Sequence, residues 1–266
     1  MRPSNIRRKL VLIAAVLLPL LAAAVALLLV KCLTSGCEDK PAPSYSQPLT
    51  QWEEIRGPLL GTRWEQSGPY AALVPNRDAL GCWSVAFAQV LAFHHLQPKG
   101  RVSYRTHRGV VIDELLDAPV NWDRVVLFIG PQTPAENSLE TARYCFASAV
   151  VVQKDFGSGE YMDVARIPKE VAEHYGCTVE RVDSGLADMV ISELRENHPV
   201  IAYFDDILDL RIVPNGHTTV LDGMAEDKDR LFVHVNFGWG GASDGWYDFE
   251  KLAKERELLY LFRIVP

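Results

Sequence analysis

Four short segments carry side chains that could act together on a carbonyl carbon. Cys82 follows Gly81 at the start of a largely apolar run, Gly81-Cys82-Trp83-Ser84-Val85-Ala86-Phe87-Ala88-Gln89. At the first turn of a helix, unpaired backbone N–H groups and the helix dipole favour an anion, so this placement predicts a lowered thiol pKa and a nucleophilic sulfur. Gly81 lets the chain turn tightly and leaves room for a substrate to approach. His217, in Asn215-Gly216-His217-Thr218, opens a strand-like run. There an imidazole can take a proton from a thiol and later protonate a leaving amine. Asn236 ends a second strand-like run, and its side-chain oxygen can accept from an imidazole and fix the tautomer. Gln66, in Thr62-Arg63-Trp64-Glu65-Gln66, offers an amide to an oxyanion beside the backbone N–H of the nucleophile.

Taken singly, each segment has a plainer explanation: a buried cysteine, a surface histidine, a glycine-rich turn, an exposed glutamine. Their weight lies in the order Gln, Cys, His, Asn along one chain. His94 and His95 sit near the end of the Cys82 run, where an imidazolium would complement a helix C-terminus. His234 alternates with Val233 and Val235 and is assigned no catalytic role.

The elements that must position these residues follow from periodicity. Residues 81–95, 137–156, 167–175 and 186–196 have helical spacing of apolar positions. Residues 101–106 and 109–113 pair as a short hairpin, and residues 199–204, 218–224, 231–236, 246–249 and 258–264 are rich in apolar and β-branched side chains. Helices dominate the first half and strands the second. That segregation predicts an α+β domain of two lobes with a cleft between them.

Residues 10–30 are uncharged and almost entirely Leu, Ala, Val or Ile. Such a length crosses a hydrocarbon core of about 30 Å as a helix, and Pro19 is tolerated in a spanning helix. Arg7-Arg8-Lys9 precede it, so the positive-inside rule places the N-terminus in the cytoplasm and the rest outside. An uncleaved signal anchor fits the length best. A lipoprotein signal ending at Thr34-Ser35-Gly36-Cys37 and an ordinary cleaved signal peptide are the other readings. The organisation is then a cytoplasmic stub and membrane anchor or signal over 1–37, a Pro-rich linker over 38–56 and a folded domain over 57–266.

The full chain carries 27 basic and 34 acidic residues; five of the basic ones lie in residues 1–37, leaving 22 against 34 and a net charge of −12 for the remainder. A surface so acidic excludes a nucleic-acid partner. The five cysteines lack the spacing of a disulfide framework or a zinc site, so neither a metal nor another cofactor is expected.

The segments Trp64-Glu65-Gln66, Gly81-Cys82 with Ala88-Gln89 and His94, Gly216-His217 with Asp222-Gly223, and His234-Val235-Asn236-Phe237-Gly238-Trp239-Gly240-Gly241 with Asp244-Gly245 together resemble the streptopain-type cysteine peptidases, a papain-like bacterial group. Asn121-Trp122-Asp123 and Asp155-Phe156-Gly157-Ser158-Gly159 fit as well, so the resemblance covers residues 57–266. It implies a papain-like domain with a helix-rich N-terminal lobe and an antiparallel-sheet C-terminal lobe. In it Cys82 is the nucleophile, His217 the general base, Gln66 an oxyanion donor and Asn236 the orienter of His217, with Trp239 and Gly81 beside the substrate. Trp239 would shield the His–Asn contact from water. The implied reaction is endopeptidase cleavage of protein or peptide substrates outside the cytoplasmic membrane. A Cys–His acyltransferase, a cell-wall amidase and a non-catalytic surface binding module are the alternatives on the same fold.

The chain departs from the family in reading Phe237 where Trp is usual, which removes an indole N–H, and in placing Trp83 after the cysteine where small residues are usual. About 20 residues separate the membrane segment from the domain, too few for a folded inhibitory propeptide. Any inhibitor is therefore expected to be a separate polypeptide.

Overall fold

The structure, a computed structural model, describes Trp52 and residues 54–206, 215–227 and 230–266. The apolar segment 10–30, Cys32, Cys37 and residues 38–51 of the expected linker lie outside the described residues. Among the described residues no helix is long and apolar enough to cross a membrane.

The chain enters through a short strand, β1 (Glu54–Arg56). It then forms helix α1 (Cys82–Phe93), a hairpin of β2 (Arg101–Arg105) and β3 (Val111–Leu115), and helix α2 (Ala135–Val151). Helix α3 (Ile167–Tyr175), strand β4 (Thr178–Val182) and helix α4 (Leu186–Arg195) lead into β5 (Val200–Asp206), β6 (Asn215–Asp227), β7 (Arg230–Asn236) and β8 (Gly245–Asp248). A last helix, α5 (Phe249–Glu255), returns the chain to β9 (Leu258–Val265).

Seven strands of the described residues form one sheet in the order β4-β9-β5-β6-β7-β8, with β1 added against β6. Every pairing is antiparallel. The helix-then-strand order read from the sequence is therefore what the chain adopts. The helical half and the sheet half share a continuous apolar core. Val85, Phe87 and Leu91 of α1, with Val150 of α2, pack together with Ile201, Val220 and Phe262 of the sheet. Burying each such side chain is worth about 1.5–3 kcal/mol, which makes α1 the keel of the molecule.

Helix α1 contains no charged residue and is buried on nearly all sides, from Trp83 to Leu91. Gly81, at φ 86°, stops the helix from extending backwards. At the other end His95 takes the left-handed conformation at φ 52°. Its N–H reaches the Ala92 carbonyl, and the Leu96 N–H reaches Leu91, a Schellman closure made by backbone alone. The imidazole of His94 does not complement the helix end as an imidazolium. Burial, and then the neighbouring His198, push its pKa down.

Three elements differ from expectation. Residues 54–56 of the expected linker pair with β6, and Trp52 stacks on Phe232 at 5.3 Å and meets Trp246 edge-on. Strand β4 is an edge strand whose polar sequence hid it, and α5 is a short charged helix capped by Asp248, which accepts from the Lys251 N–H at 3.1 Å.

Candidate active site

Cys82 is the first residue of α1 and is half-buried. Its sulfur faces Thr218 of β6, the residue after His217. The thiol pKa is raised, not lowered: desolvation by burial comes first, opposed by backbone groups of Thr218 and Trp83, the Thr218 hydroxyl and the charge of Lys154. The helix-start argument identified a real stabilising field, but at this depth the loss of water outweighs it. The Thr218 hydroxyl makes no hydrogen bond of good geometry, so it acts on the sulfur as a nearby dipole.

His217 is 9% exposed. Its Nε2 lies 3.0 Å from the backbone carbonyl of Phe237. A carbonyl can only accept, so Nε2 carries the proton and Nδ1 is the basic nitrogen. Nδ1 has no hydrogen-bond partner among the described residues. Burial lowers the imidazole pKa to about 4, with the Phe237 carbonyl raising it and Arg256 lowering it further. One ring face is covered by Trp239, stacked at 4.5 Å between centroids. The ring that Trp239 covers makes its contact with a carbonyl and not with the Asn236 side chain.

The direct Asn236–His217 hydrogen bond expected from the sequence is not made. The Asn236 side chain donates to the Thr62 carbonyl at 2.8 Å. Its oxygen accepts from Gln89 Nε2 at 3.1 Å and from the Gly238 N–H at 3.0 Å. Those three bonds hold the buried amide in place, and they tie together the segment before α1, the middle of α1 and the turn after β7. Asp244 holds the other side of that turn, accepting from the Phe237 N–H at 2.8 Å. Asn236 and Asp244 therefore fix the peptide whose carbonyl meets His217.

Gln66 is brought to the same place by backbone bonds. Its carbonyl accepts from the Leu80 N–H at 2.8 Å, two residues before Cys82. The preceding residues clasp the turn after β7, through a bridge between Glu65 and Trp239 and a bond from the Gly240 N–H to the Trp64 carbonyl at 3.1 Å. The Gln66 carboxamide itself bonds to no described residue, and neither does the backbone N–H of Cys82.

The space in front of Gly81 is not open to a substrate. A Cβ there would lie 2.3 Å from the Tyr161 hydroxyl and 3.2 Å from Lys154 Cε. Gly81 is required because Tyr161 approaches so closely. Sequence reasoning missed Lys154, Tyr161, Thr218 and Asp244 as neighbours of the site. A lysine inside the run Val150-Val151-Val152-Gln153-Lys154 was the one available signal.

Asp222, fully buried at a bulge of β6, accepts from the Leu60 N–H at 3.0 Å and meets His234 Nδ1 at 2.6 Å. This pair anchors the entering chain to the sheet. Among the described residues no three His, Cys, Asp or Glu side chains gather as a metal site.

The family model described as "Peptidase C10 family" matches residues 64–247, more than half of the chain and all four of these segments. The chain belongs to the Peptidase C10 family. Membership makes it a relative of the streptopain-type cysteine peptidases. It is similar to streptopain of Streptococcus pyogenes, at 24% identity over 239 residues, covering 75% of this chain and 58% of that protein. It is also similar to the thiol protease/hemagglutinin PrtT of Porphyromonas gingivalis, at 26% identity over 236 residues, 78% of this chain and 25% of that one. The chain thus spans less than two thirds of the length of each of these relatives. Its fold matches the active wild-type interpain A cysteine protease of Prevotella intermedia with a TM-score of 0.67 at 21% identity, covering 82% of this chain and 97% of that one.

Proposed function

We propose that this C10 chain is a cysteine peptidase in which Cys82 attacks the scissile carbonyl of a protein or peptide. The observation that carries the reading is the approach of the Cys82 sulfur to the backbone and hydroxyl of Thr218, next in the chain to His217, whose unprotonated Nδ1 has no hydrogen-bond partner among the described residues. His217, neutral at pH 7, takes the thiol proton as the sulfur attacks. The Cys82 N–H and the Gln66 amide, neither bonded to a described residue, receive the oxyanion. His217 then protonates the leaving amine, and water releases the acyl group from sulfur by the same route. Asn236 acts through the backbone of Phe237, and Trp239 keeps water from the imidazole.

The apolar stretch 10–30 and the basic cluster before it support a tethered, extracytoplasmic enzyme. In this reading, protease added to intact cells removes the domain and spares the N-terminal stub.

Activity-based labelling with an epoxide or chloromethylketone peptide, on wild type and Cys82→Ala, tests the assignment alongside hydrolysis of a denatured casein-like substrate. Wild type should label and cleave, and Cys82→Ala should do neither. Labelling that survives the substitution would show a different nucleophile. Labelling by wild type with turnover of peptidoglycan fragments and none of denatured protein would sink the peptidase reading.

A further inference from the structure

The front of α1 is closed by two side chains that the reaction scheme above does not use. The Tyr161 hydroxyl accepts from the Trp83 N–H at 3.1 Å and the Ser84 N–H at 3.4 Å. Gly81, the residue at the N-cap position, has no side chain to do this, so Tyr161 supplies the cap from a different part of the chain. Having accepted twice, the hydroxyl directs its own proton away from the helix, which carries the positive end of the helix one bond further out. Burial, together with the neighbouring Cys82, pushes the Tyr161 pKa well above its ordinary value, so that proton stays on.

Lys154 lies behind Tyr161. The two residues pair as an isolated bridge in the tight return that follows α2. Lys154 is 1% exposed. Its ammonium donates to the Glu160 carbonyl at 3.1 Å and sits 5.0 Å from the centre of the Tyr161 ring. No carboxylate among the described residues forms an ion pair with it. A buried ammonium with one hydrogen bond and no paired anion is expensive. Burial accordingly lowers its pKa, while Asp78, Cys82, Glu160 and Asp155 act in the other direction. Of those four, Cys82 is the group whose charge changes during attack on a carbonyl. Thr218, Tyr203 and Tyr260 also interact with Cys82, and none of these is cationic at pH 7.

We propose that Lys154 and Tyr161 are positioning residues for the nucleophile: the buried ammonium and the helix-capping hydroxyl hold negative charge on the Cys82 sulfur in a pocket that otherwise disfavours it. This rests on the reading of Cys82 as the nucleophile and names how its thiolate is maintained without a lysine or arginine on α1 itself.

The test is the pH dependence of iodoacetamide alkylation of the full-length protein, followed on the Cys82 peptide by mass spectrometry so that other cysteines do not contribute. Lys154→Met keeps the length and apolar stem of the side chain and removes the charge. Its alkylation midpoint should rise by about one pH unit, a roughly tenfold loss of rate at pH 7. Peptide hydrolysis should lose kcat by a similar factor with KM within about twofold. Tyr161→Phe keeps the ring under the ammonium and removes the hydroxyl; its midpoint should also rise, and it carries the test if Lys154→Met does not fold. A midpoint that stays or falls in the folded variants overturns the proposal, and a fall would mean that the pair obstructs the thiol. Because alkylation needs no peptide, the two ideas fail separately. A wild type that cleaves nothing ends the peptidase reading, whereas cleavage with unmoved midpoints ends this one.

Discussion

His217 donates its Nε2–H to the backbone carbonyl of Phe237, 3.0 Å away, and among the described residues to no side chain. A carbonyl is a neutral acceptor that cannot be protonated near neutral pH and cannot rotate away without moving the turn. It fixes the tautomer as a carboxamide would, and its orientation is set by what holds the peptide. Here that is the Gly238 N–H on Asn236 and the Phe237 N–H on Asp244.

The lowered imidazole pKa sets the acid limb of activity. His217 is a base when neutral, and its pKa is about 4 because it is buried. Activity should therefore persist as pH falls below the ordinary histidine value and decline through about pH 4. Initial rates on a peptide substrate between pH 3.5 and 8 check this. A half-maximal point near 6.5 would mean that the imidazole is far better solvated than its position implies.

The same shift has a consequence for stability. The unfolded imidazole titrates near 6.5 and the folded one near 4. Stability is thus fully present above about pH 6.5 and is lost as pH falls through that window, by about 3 kcal/mol at most. Urea unfolding at pH 7 and at pH 4.5 should show a smaller loss in His217→Gln than in wild type. Equal losses in the two proteins would place the acid sensitivity elsewhere.

Asp244 works with the opposite sign. Its carboxyl is raised to about 6, by burial first and by Asp222, against the Phe237 N–H, His234 and Arg63. A carboxyl raised in the fold favours the folded state when protonated, and that contribution fades as pH rises from about 4 through 6. Asp244→Asn keeps an oxygen for the Phe237 N–H and never ionises. At pH 7 it should be more stable than wild type by about 1–2 kcal/mol, discounted for partial exposure, and should retain activity. Chemical denaturation at pH 5 and pH 7 decides it, since the gain should shrink at the lower pH.

Much of this architecture was legible because apolar periodicity survives burial. Helix α3 and the strands from β5 to β9 fall within a few residues of their sequence readings. What escaped had no such pattern: β1 is three residues long, β4 sets charged Glu180 and Arg181 side by side between Val179 and Val182, and α5 reads as a polar tail. Helix α2 ends five residues earlier than its apolar run because Gln153 turns left-handed at φ 53° and starts the return to Tyr161. At the site, residue types were readable and partners were not. Whether Asn236 meets an imidazole or a backbone N–H is decided by the turn after β7. Whether Lys154 is a surface charge or a buried one is decided by a hairpin that leaves no periodic trace, and lysine is ordinarily a surface residue.

Asn236 should show its importance in stability before catalysis. Replacing it by Ala strands Gln89 Nε2, the Thr62 carbonyl and the Gly238 N–H in a buried setting. Each orphaned buried group costs about 1–3 kcal/mol, so a loss of about 3 kcal/mol or more is expected. A drop in kcat should accompany it as the Phe237 carbonyl loses its support. Guanidinium denaturation reads the first effect. If Asn236→Ala is as stable as wild type yet inactive, the side chain acts on the imidazole directly and the positioning account is wrong.

Gln66 gives the reverse pattern. Its backbone holds Leu80, but its carboxamide bonds to no described residue, so Gln66→Ala removes nothing the resting fold uses. Stability should move by less than about 0.5 kcal/mol. An oxyanion donor, by contrast, is used when the carbonyl oxygen becomes charged, and losing one costs about 10²–10³ in kcat. The substitution should therefore lower kcat by that factor while KM and the melting temperature stay near wild type. Alkylation of Cys82 by iodoacetamide, which passes through no oxyanion, should keep its wild-type rate. A parallel fall in alkylation and hydrolysis would move Gln66 from stabilising the intermediate to shaping the thiol pocket.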